Sequence, residues 1–204
     1  QFPCDPRDES RMMVVDRRTG DIAYRVFQDL TEFSKKDDIV VINDTKVIPA
    51  RLIGKKTTGG MVEILLLSRR SEDSKLLQTW DVLLRPAKRI RVGTKVLFDK
   101  DCEAQVIDRV SEKKWIVRFL TGLGFDNFLE KYGKAPLPPY IKRNTNSAEA
   151  IADIDRYQTI YARFPGSVAA PTAGLHFSQN VLDTLSEIGV QIVTITLHVG
   201  YGTF

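Results

Sequence analysis

The sequence predicts a mixed α/β protein with a middle stretch of all-β character, and three observations carry that expectation. Near the end, a capped amphipathic helix runs straight into a β-branched stretch, the αβ half of an open sheet. Near the start, Ile39–Ile42 is a short continuous apolar run of the kind that forms a buried strand. From about Ile53 the texture changes to short strand candidates separated by turns, a spacing that suits a small barrel or a sandwich.

At 204 residues, 43% hydrophobic and 27% charged, the chain can hold one or two domains and bury a proper core. A net charge of +4 leans toward an anionic partner without identifying one. No apolar run is long enough to span a bilayer, and the polar stretch from Gln1 to Ser10 does not resemble a signal peptide. Cys4 and Cys102 lack any paired spacing and suit a reducing cytoplasm.

In chain order, Arg11–Val15 and Ile22–Phe27 flank a polar turn ending Thr19-Gly20-Asp21, which predicts a β-hairpin. Leu30–Phe33 predicts a short helical turn. The strand at Ile39–Ile42 ends in Asn43-Asp44-Thr45-Lys46. Those polar side chains either bond nearby backbone in a turn or face a ligand at the strand end. Strand candidates follow at Met61–Leu67, Trp80–Leu84, Lys95–Phe98, Cys102–Val110 and Trp115–Phe119. Between two of them, Arg85, Lys88, Arg89, Arg91 and Lys95 cluster with no acidic residue among them. Such a cluster is either a solvated face or a phosphate-backbone contact.

Phe125–Tyr132 predicts a short helix closed by Gly133, Pro136–Arg143 a stiff extended segment, and Asn144–Ala152 a polar surface connection. Asp155–Arg163 sets Tyr157 and Tyr161 close to Arg156 and Arg163, which suits packing under a loop more than stacking on a base. Ala169–Phe177, reading A-A-P-T-A-G-L-H-F, then places a proline, a glycine and His176 in one turn. Ser178 suits an N-cap, Val181, Leu182, Leu185 and Ile188 share one helical face, and Gly189 stands where a C-cap belongs. Val190–Val199 reads as a buried strand that carries the second histidine, His198, before the breaks at Gly200 and Gly202.

The chemistry this permits is narrow. There is no G-x-x-x-x-G-K-[ST] phosphate loop, and Gly122-Leu123-Gly124 lacks the third glycine of a dinucleotide fingerprint. Two histidines and two scattered cysteines offer no metal-ligand pattern. What remains is acid–base chemistry at His176 and His198, beside helix-terminal amides that suit a carboxylate or phosphate. The competing reading of each histidine is a hydrogen bond within the fold.

Five stretches, V-V-I-N-D-T-K-V-I-P-A-R-L (Val40–Leu52), P-L-P-P-Y-I-K-R (Pro136–Arg143), R-Y-Q-T-I-Y-A (Arg156–Ala162), A-A-P-T-A-G-L-H-F and T-L-H-V-G-Y-G-T-F (Thr196–Phe204), closely resemble the S-adenosylmethionine:tRNA ribosyltransferase-isomerase family of queuosine biosynthesis. The resemblance runs in order over essentially the whole chain. It implies an α/β catalytic domain with an inserted small β-barrel. The expected division is 1–52 and 153–204 for the catalytic part, and 53–152 for the barrel with its polar return connection. Segments that the family carries before and after these residues are expected to be missing.

The resemblance further implies transfer and isomerisation of the ribosyl group of S-adenosylmethionine onto an aminomethyl-deazaguanine at the tRNA wobble position. The product is epoxyqueuosine, with adenine and methionine released, and no metal or membrane is involved. On that reading His176 is the base and His198 orients the ribose or adenine. Asn43, Asp44, Thr45, Pro171, Thr172, Gly174, Gly200 and Gly202 hold the S-adenosylmethionine, with Asp44 near its sulfonium. Arg51, Lys88, Arg89, Arg91, Tyr140, Lys142, Arg143, Arg156, Tyr157 and Arg163 meet the tRNA. The rival readings are a non-catalytic RNA-binding protein that uses the basic β-barrel, and an ordinary methyltransferase, which the missing glycine-rich cofactor loop disfavours.

Overall fold

In the computed structural model the described residues are 3–138, 140–141, 153–200 and 202. The chain opens with a 3-10 turn at Arg7–Glu9 and the predicted hairpin, β1 (Arg11–Val15) against β2 (Ile22–Val26), with Val15 opposite Ile22. A 3-10 helix at Phe27–Phe33 takes the place of the helical turn. Next come β3 (Ile39–Asn43) and β4 (Thr45–Val47), separated by Asp44 alone.

A barrel follows. Its strands are β5 (Arg51–Lys56), β6 (Met61–Ser74), β7 (Leu77–Arg85), β8 (Lys95–Leu97), β9 (Cys102–Arg109) and β10 (Lys114–Thr121). They neighbour one another in the order β5-β6-β7-β10-β9-β8, and β5 pairs back onto β8 to close the ring. Closure removes the free edges that an open sheet would expose. The seam is tight: a Cβ on Gly54 would lie 2.5 Å from Val96 Cγ1 and 3.0 Å from the Leu97 carbonyl. Only glycine lets the two strands approach that closely.

The side chains inside are those the alternation demands. Leu52, Val62, Ile64, Leu66, Val82 and Phe119 are all fully buried. Helix α1 (Phe125–Tyr132) packs Phe125, Phe128 and Leu129 into the same core. Phe125 stacks on Trp80 at 5.3 Å, and Phe128 meets Phe98 edge-on at 4.9 Å. The two-residue β11 (Gly133–Lys134) then pairs with Leu52 and Arg51 of β5.

The remaining elements form a second, smaller core. β12 (Phe164–Ser167) runs parallel to β4, and β13 (Gln191–Ile195) runs parallel to β3. Between them, helix α2 (Gln179–Ile188) has the expected caps. The Ser178 hydroxyl accepts from the Val181 N–H at 3.3 Å, and Gly189 adopts the left-handed conformation at φ 94°. Val181 and Leu185 are buried with Phe177 and Val190, and Val40 of β3 packs against them.

Two strand expectations need correction. Val190–Val199 is a strand only over Gln191–Ile195, and neither it nor Ile39–Ile42 is buried on both sides. The cause is geometric. β3 and β13 form a two-stranded parallel pair whose one face meets the α2 core. The other face leaves Ile39 at 62% exposure, Val41 at 57% and Ile195 at 47%. A continuous apolar run signals strand but not how many faces are covered. The predicted connection at Asn144–Ala152 lies outside the described residues.

Phe128 is fully buried and touches Phe98, Phe119, Phe125 and Tyr132. Phe128→Ala is expected to destabilise the barrel by about 3–5 kcal/mol, as large-to-small changes in packed aromatic cores do. Urea unfolding followed by tryptophan fluorescence measures this, and a loss below about 1 kcal/mol would contradict the packing.

Candidate functional site

Asp44 is the residue at which the 39–47 segment changes partner, from β13 before it to β12 after it. Its backbone is pinned on both sides. The Asp44 N–H donates to the Ile195 carbonyl at 3.0 Å, and its carbonyl accepts from the N–H of Arg163 at 2.7 Å and of Phe164 at 3.2 Å. This is the carboxyl end of the parallel β3/β13 pair and a switch in strand order, the place where open α/β sheets present their ligand-binding groups.

Four side chains are organised there. Asp44 is 5% exposed, and its Oδ1 accepts from the Thr196 hydroxyl at 2.6 Å. Asn43 clasps the strand that leaves β13: its amide nitrogen donates to the Leu197 carbonyl at 2.8 Å while its Oδ1 accepts from the Leu197 N–H at 3.0 Å. The same Oδ1 accepts from the Thr45 N–H at 3.2 Å, so the turn reading and the site reading of Asn43 are both realised. Thr45 is fully buried, and its hydroxyl meets Nδ1 of His198 at 2.8 Å. That contact fixes the imidazole plane of an otherwise exposed histidine.

Gly166 makes room for the ring. With φ at 148°, it sits where side chains are strained, and a Cβ there would lie 2.8 Å from both Cε1 and Nε2 of His198. Ser167 completes the clasp: its hydroxyl accepts from the Val199 N–H at 2.8 Å and donates to the Ala169 carbonyl at 2.8 Å. Sequence reasoning missed Gly166, Ser167 and Thr196. Only the Pro165-Gly166-Ser167 punctuation after Arg163 hinted at the first two.

The other proposed site residues distribute as follows. Pro171, Thr172, Gly174 and His176 form a 3-10 turn, Thr172–His176, in which Gly174 is buried against Tyr161. His176 is half-buried, its ring 5.4 Å from that of Phe27. This turn joins the Asp44 region through an apolar cluster in which Leu175 packs with Val47, Tyr157 and Ala170. Gly200 and Gly202 are exposed. A cleft of about 740 Å³ opens along β4, where Lys46 and Arg7 face Asp126, Glu130 and Asp155. The buried Thr159 hydroxyl on its wall has no partner among the described residues.

Several residues expected to meet RNA are engaged within the fold. Arg51 forks onto Glu63 at 3.0 and 2.6 Å, and Arg156 donates to Asp5 at 3.2 Å and to the Cys4 carbonyl at 2.5 Å. Tyr157 is 7% exposed, which makes it a core residue and leaves no face for stacking on a base. Arg163 is exposed beside Phe164, Tyr140 is 70% exposed, and Lys88, Arg89 and Arg91 line a cleft on the barrel. Lys142 and Arg143 lie outside the described residues.

Burial has electrostatic consequences near this site. It lowers the Arg7 guanidinium from its ordinary value, helped by the neighbouring Arg156 charge. It raises the phenols of Tyr157 and Tyr161, with the Ala170 amide partly offsetting the rise at Tyr157.

With this geometry in hand, comparison with known proteins is informative. A family model described as "Queuosine biosynthesis protein" matches residues 1–204. A curated relative from Syntrophus aciditrophicus, named S-adenosylmethionine:tRNA ribosyltransferase-isomerase, is 53% identical over 219 residues, covering 100% of this chain and 60% of its own length. A relative of the same name from Caldanaerobacter subterraneus is 46% identical over 206 residues, covering 100% of this chain and 57% of its own. The chain thus spans somewhat over half the length of the curated relatives it matches. A solved structure titled S-adenosylmethionine tRNA ribosyltransferase, from Thermotoga maritima, is 29% identical, covering 98% of this chain and 54% of its own, with a TM-score of 0.36.

Two outcomes follow from the geometry. Gly166→Ala should displace the His198 ring and shift its imidazole proton resonances, leaving those of His176 in place; unmoved His198 signals would refute the contact. For the phenols, a raised folded value means stability that is complete below the unfolded tyrosine value near 10 and lost as the pH rises through the folded one. Unfolding free energy should therefore fall as the pH rises past about 10, and Tyr157→Phe/Tyr161→Phe should flatten that fall.

Proposed function

Because the chain belongs to the queuosine biosynthesis protein family, we propose that the whole protein transfers and isomerises the ribosyl group of S-adenosylmethionine onto tRNA. The acceptor is the aminomethyl-deazaguanine at the wobble position, and the products are epoxyqueuosine, adenine and methionine. The observation that carries the reading at the level of residues is the cluster of Asp44, Thr45 and His198 at the strand-switch point of a chain the family matches throughout.

In this reading the sulfonium acidifies its neighbouring ribose carbon, and a base removes that proton. Adenine leaves, the substrate amine attacks with loss of its proton, and methionine departs with the electrons of its carbon–sulfur bond. His176 serves as the base. Asp44 faces the sulfonium: a carboxylate at 5% exposure attracts a positive sulfur more strongly than one in water would. Asn43 and Thr45 present the same strand end. Held by Thr45, His198 orients the ribose or adenine. Pro171, Thr172, Gly174, Gly200 and Gly202 supply backbone near the cofactor. Tyr140, Arg163, Lys88, Arg89 and Arg91 contact the tRNA, and the barrel, as an inserted domain, carries the last three. The cytoplasm is the expected compartment.

The test uses the full-length protein with S-adenosylmethionine and an anticodon stem-loop bearing the modified base. Adenine release should require both substrates. His176→Gln should lower turnover by roughly two to four orders of magnitude with binding of both substrates retained, the usual worth of a positioned acid–base group. Near-normal turnover with an unchanged pH profile would remove His176 from the base role. Asp44→Asn should weaken S-adenosylmethionine roughly ten- to a hundredfold, the ~1.5–3 kcal/mol of a contact to a charged group. It should leave the uncharged thioether S-adenosylhomocysteine nearly unaffected; equal loss for both ligands would show that Asp44 does not face the sulfur.

A further inference from the structure

Closing the barrel at the β5–β8 seam sets two loops side by side. One is the 57–60 turn from β5 into β6, and the other is the 86–94 connection from β7 to β8. Between them lies a cleft of about 620 Å³, with Lys56 contributed by the end of β5, Thr57 and Thr58 by the first loop and Lys88, Arg89 and Arg91 by the second. Among the described residues no carboxylate lines it. Lys95, also at the cleft, is matched by Glu103 at 2.9 Å. Among the described residues no carboxylate pairs with Lys56, Lys88, Arg89 or Arg91.

Four like charges in one cleft repel one another, yet the fold fixes the backbone that carries them. Ile90 is 6% exposed and anchors the second loop in the barrel core. The Arg91 N–H donates to the Thr94 hydroxyl at 3.1 Å, and the Gly93 N–H donates to the Val106 carbonyl at 2.8 Å. On the other wall, the Lys56 N–H donates to the Gly60 carbonyl at 3.0 Å, and Lys56 stands opposite Val96 across the seam. The backbone that carries the charges is therefore set before an anion arrives, and only the side chains remain to be ordered.

We propose that this cleft grips the phosphodiester backbone of RNA, as a contact separate from the wobble-base site. The proposal rests on the reading of the protein as a tRNA-modifying enzyme and adds Lys56, Thr57 and Thr58 to the RNA-contacting residues. The lining decides the ligand class. Among the described residues it holds no aromatic ring on which a base could stack and no carboxylate to accept from a base amine. Ammonium, guanidinium and hydroxyl donors are the partners of phosphate oxygens, which position a nucleic acid without reading its sequence. The cleft is accordingly indifferent to base identity.

The experiment measures binding of full-length protein to its anticodon stem-loop and to an unrelated stem-loop, by fluorescence anisotropy across a salt series. Lys56→Gln alone should reduce the slope of log affinity against log salt by about one unit, and the combined Lys56→Gln, Lys88→Gln, Arg89→Gln, Arg91→Gln variant by roughly three to four. Both RNAs should lose equally, S-adenosylmethionine affinity should hold, and Lys56→Arg should keep the parent slope. A folded quadruple variant with the parent slope would overturn the cleft, while adenine release by the parent protein keeps the tRNA reading standing. Loss confined to the anticodon stem-loop would overturn the sequence-blind contact. If the parent protein binds neither RNA, the tRNA reading fails and the cleft proposal with it.

Discussion

One backbone constraint organises the candidate site: residues 39–47 must satisfy two different parallel partners in a run of nine residues. Up to Asn43 the strand pairs with β13, and from Thr45 it pairs with β12. Asp44 is left to hydrogen-bond to both sides, through its N–H to Ile195 and its carbonyl to Arg163 and Phe164. A buried backbone group without a partner costs free energy comparable to a lost hydrogen bond, so each of these contacts restricts where the three chains can lie. The polar side chains follow from that restriction. Asn43 closes onto Leu197, Thr45 onto His198 and Asp44 onto Thr196, so the segment after β13 is held along its length by the strand end it passes.

The barrel shows a different economy of charge. Asp81, 5% exposed, is bonded by Arg70 at 2.6 Å, Lys114 at 2.9 Å and Ser68 at 3.1 Å. Burial alone would push its carboxyl up, but those hydrogen bonds outweigh it and hold the group below its ordinary value. At Asp99 the Tyr132 hydroxyl, the Asp101 amide and Lys131 hold the carboxyl down in the same sense, and donating to Asp99 in turn raises the Tyr132 phenol. Asp81 and Asp99 thus come with partners that keep them ionised, whereas Lys56, Lys88, Arg89 and Arg91 at the seam pair with no carboxylate among the described residues. Structural charge and charge left available to a ligand are separable by that criterion.

How much was legible in the sequence depended on the range of the interaction. Helix α2 was readable to the residue, because Ser178 and Gly189 act within one turn of the helix they cap. Hairpin β1–β2 and helix α1 were readable for the same local reason. The partner of β3 was not, since Ile39 and Gln191 meet across a separation that no spacing encodes. Nor was the one-sided exposure of Ile39 and Val41, which depends on what covers the sheet rather than on the strand itself. At the site, Asp44 and His198 could be nominated by type. Gly166 could not, because its role is to leave space for a ring 32 residues away. Arg51, Arg156 and Tyr157 show the converse: a guanidinium or phenol suited to RNA is equally suited to an internal carboxylate or an apolar cluster, and only the fold decides.

On the proposed reading the protein faces an electrostatic conflict, since one substrate carries a positive sulfur and the other is a polyanion. A single site lined by lysine and arginine would favour RNA and repel the sulfonium. That reading divides the task between separate elements, with four cations at the barrel seam that pair with no carboxylate among the described residues and a carboxylate at the β3–β4 switch. Around exposed cations the field decays over a Debye length of about 8 Å at physiological salt, so the barrel charges act mainly on what touches them. Around a buried carboxylate the screening is weaker, and its attraction for a cation is stronger for being local. Separation of the two charge types therefore lets salt tune the grip on RNA while leaving the sulfonium contact largely untouched. That is the physical reason the two binding steps can be weakened independently.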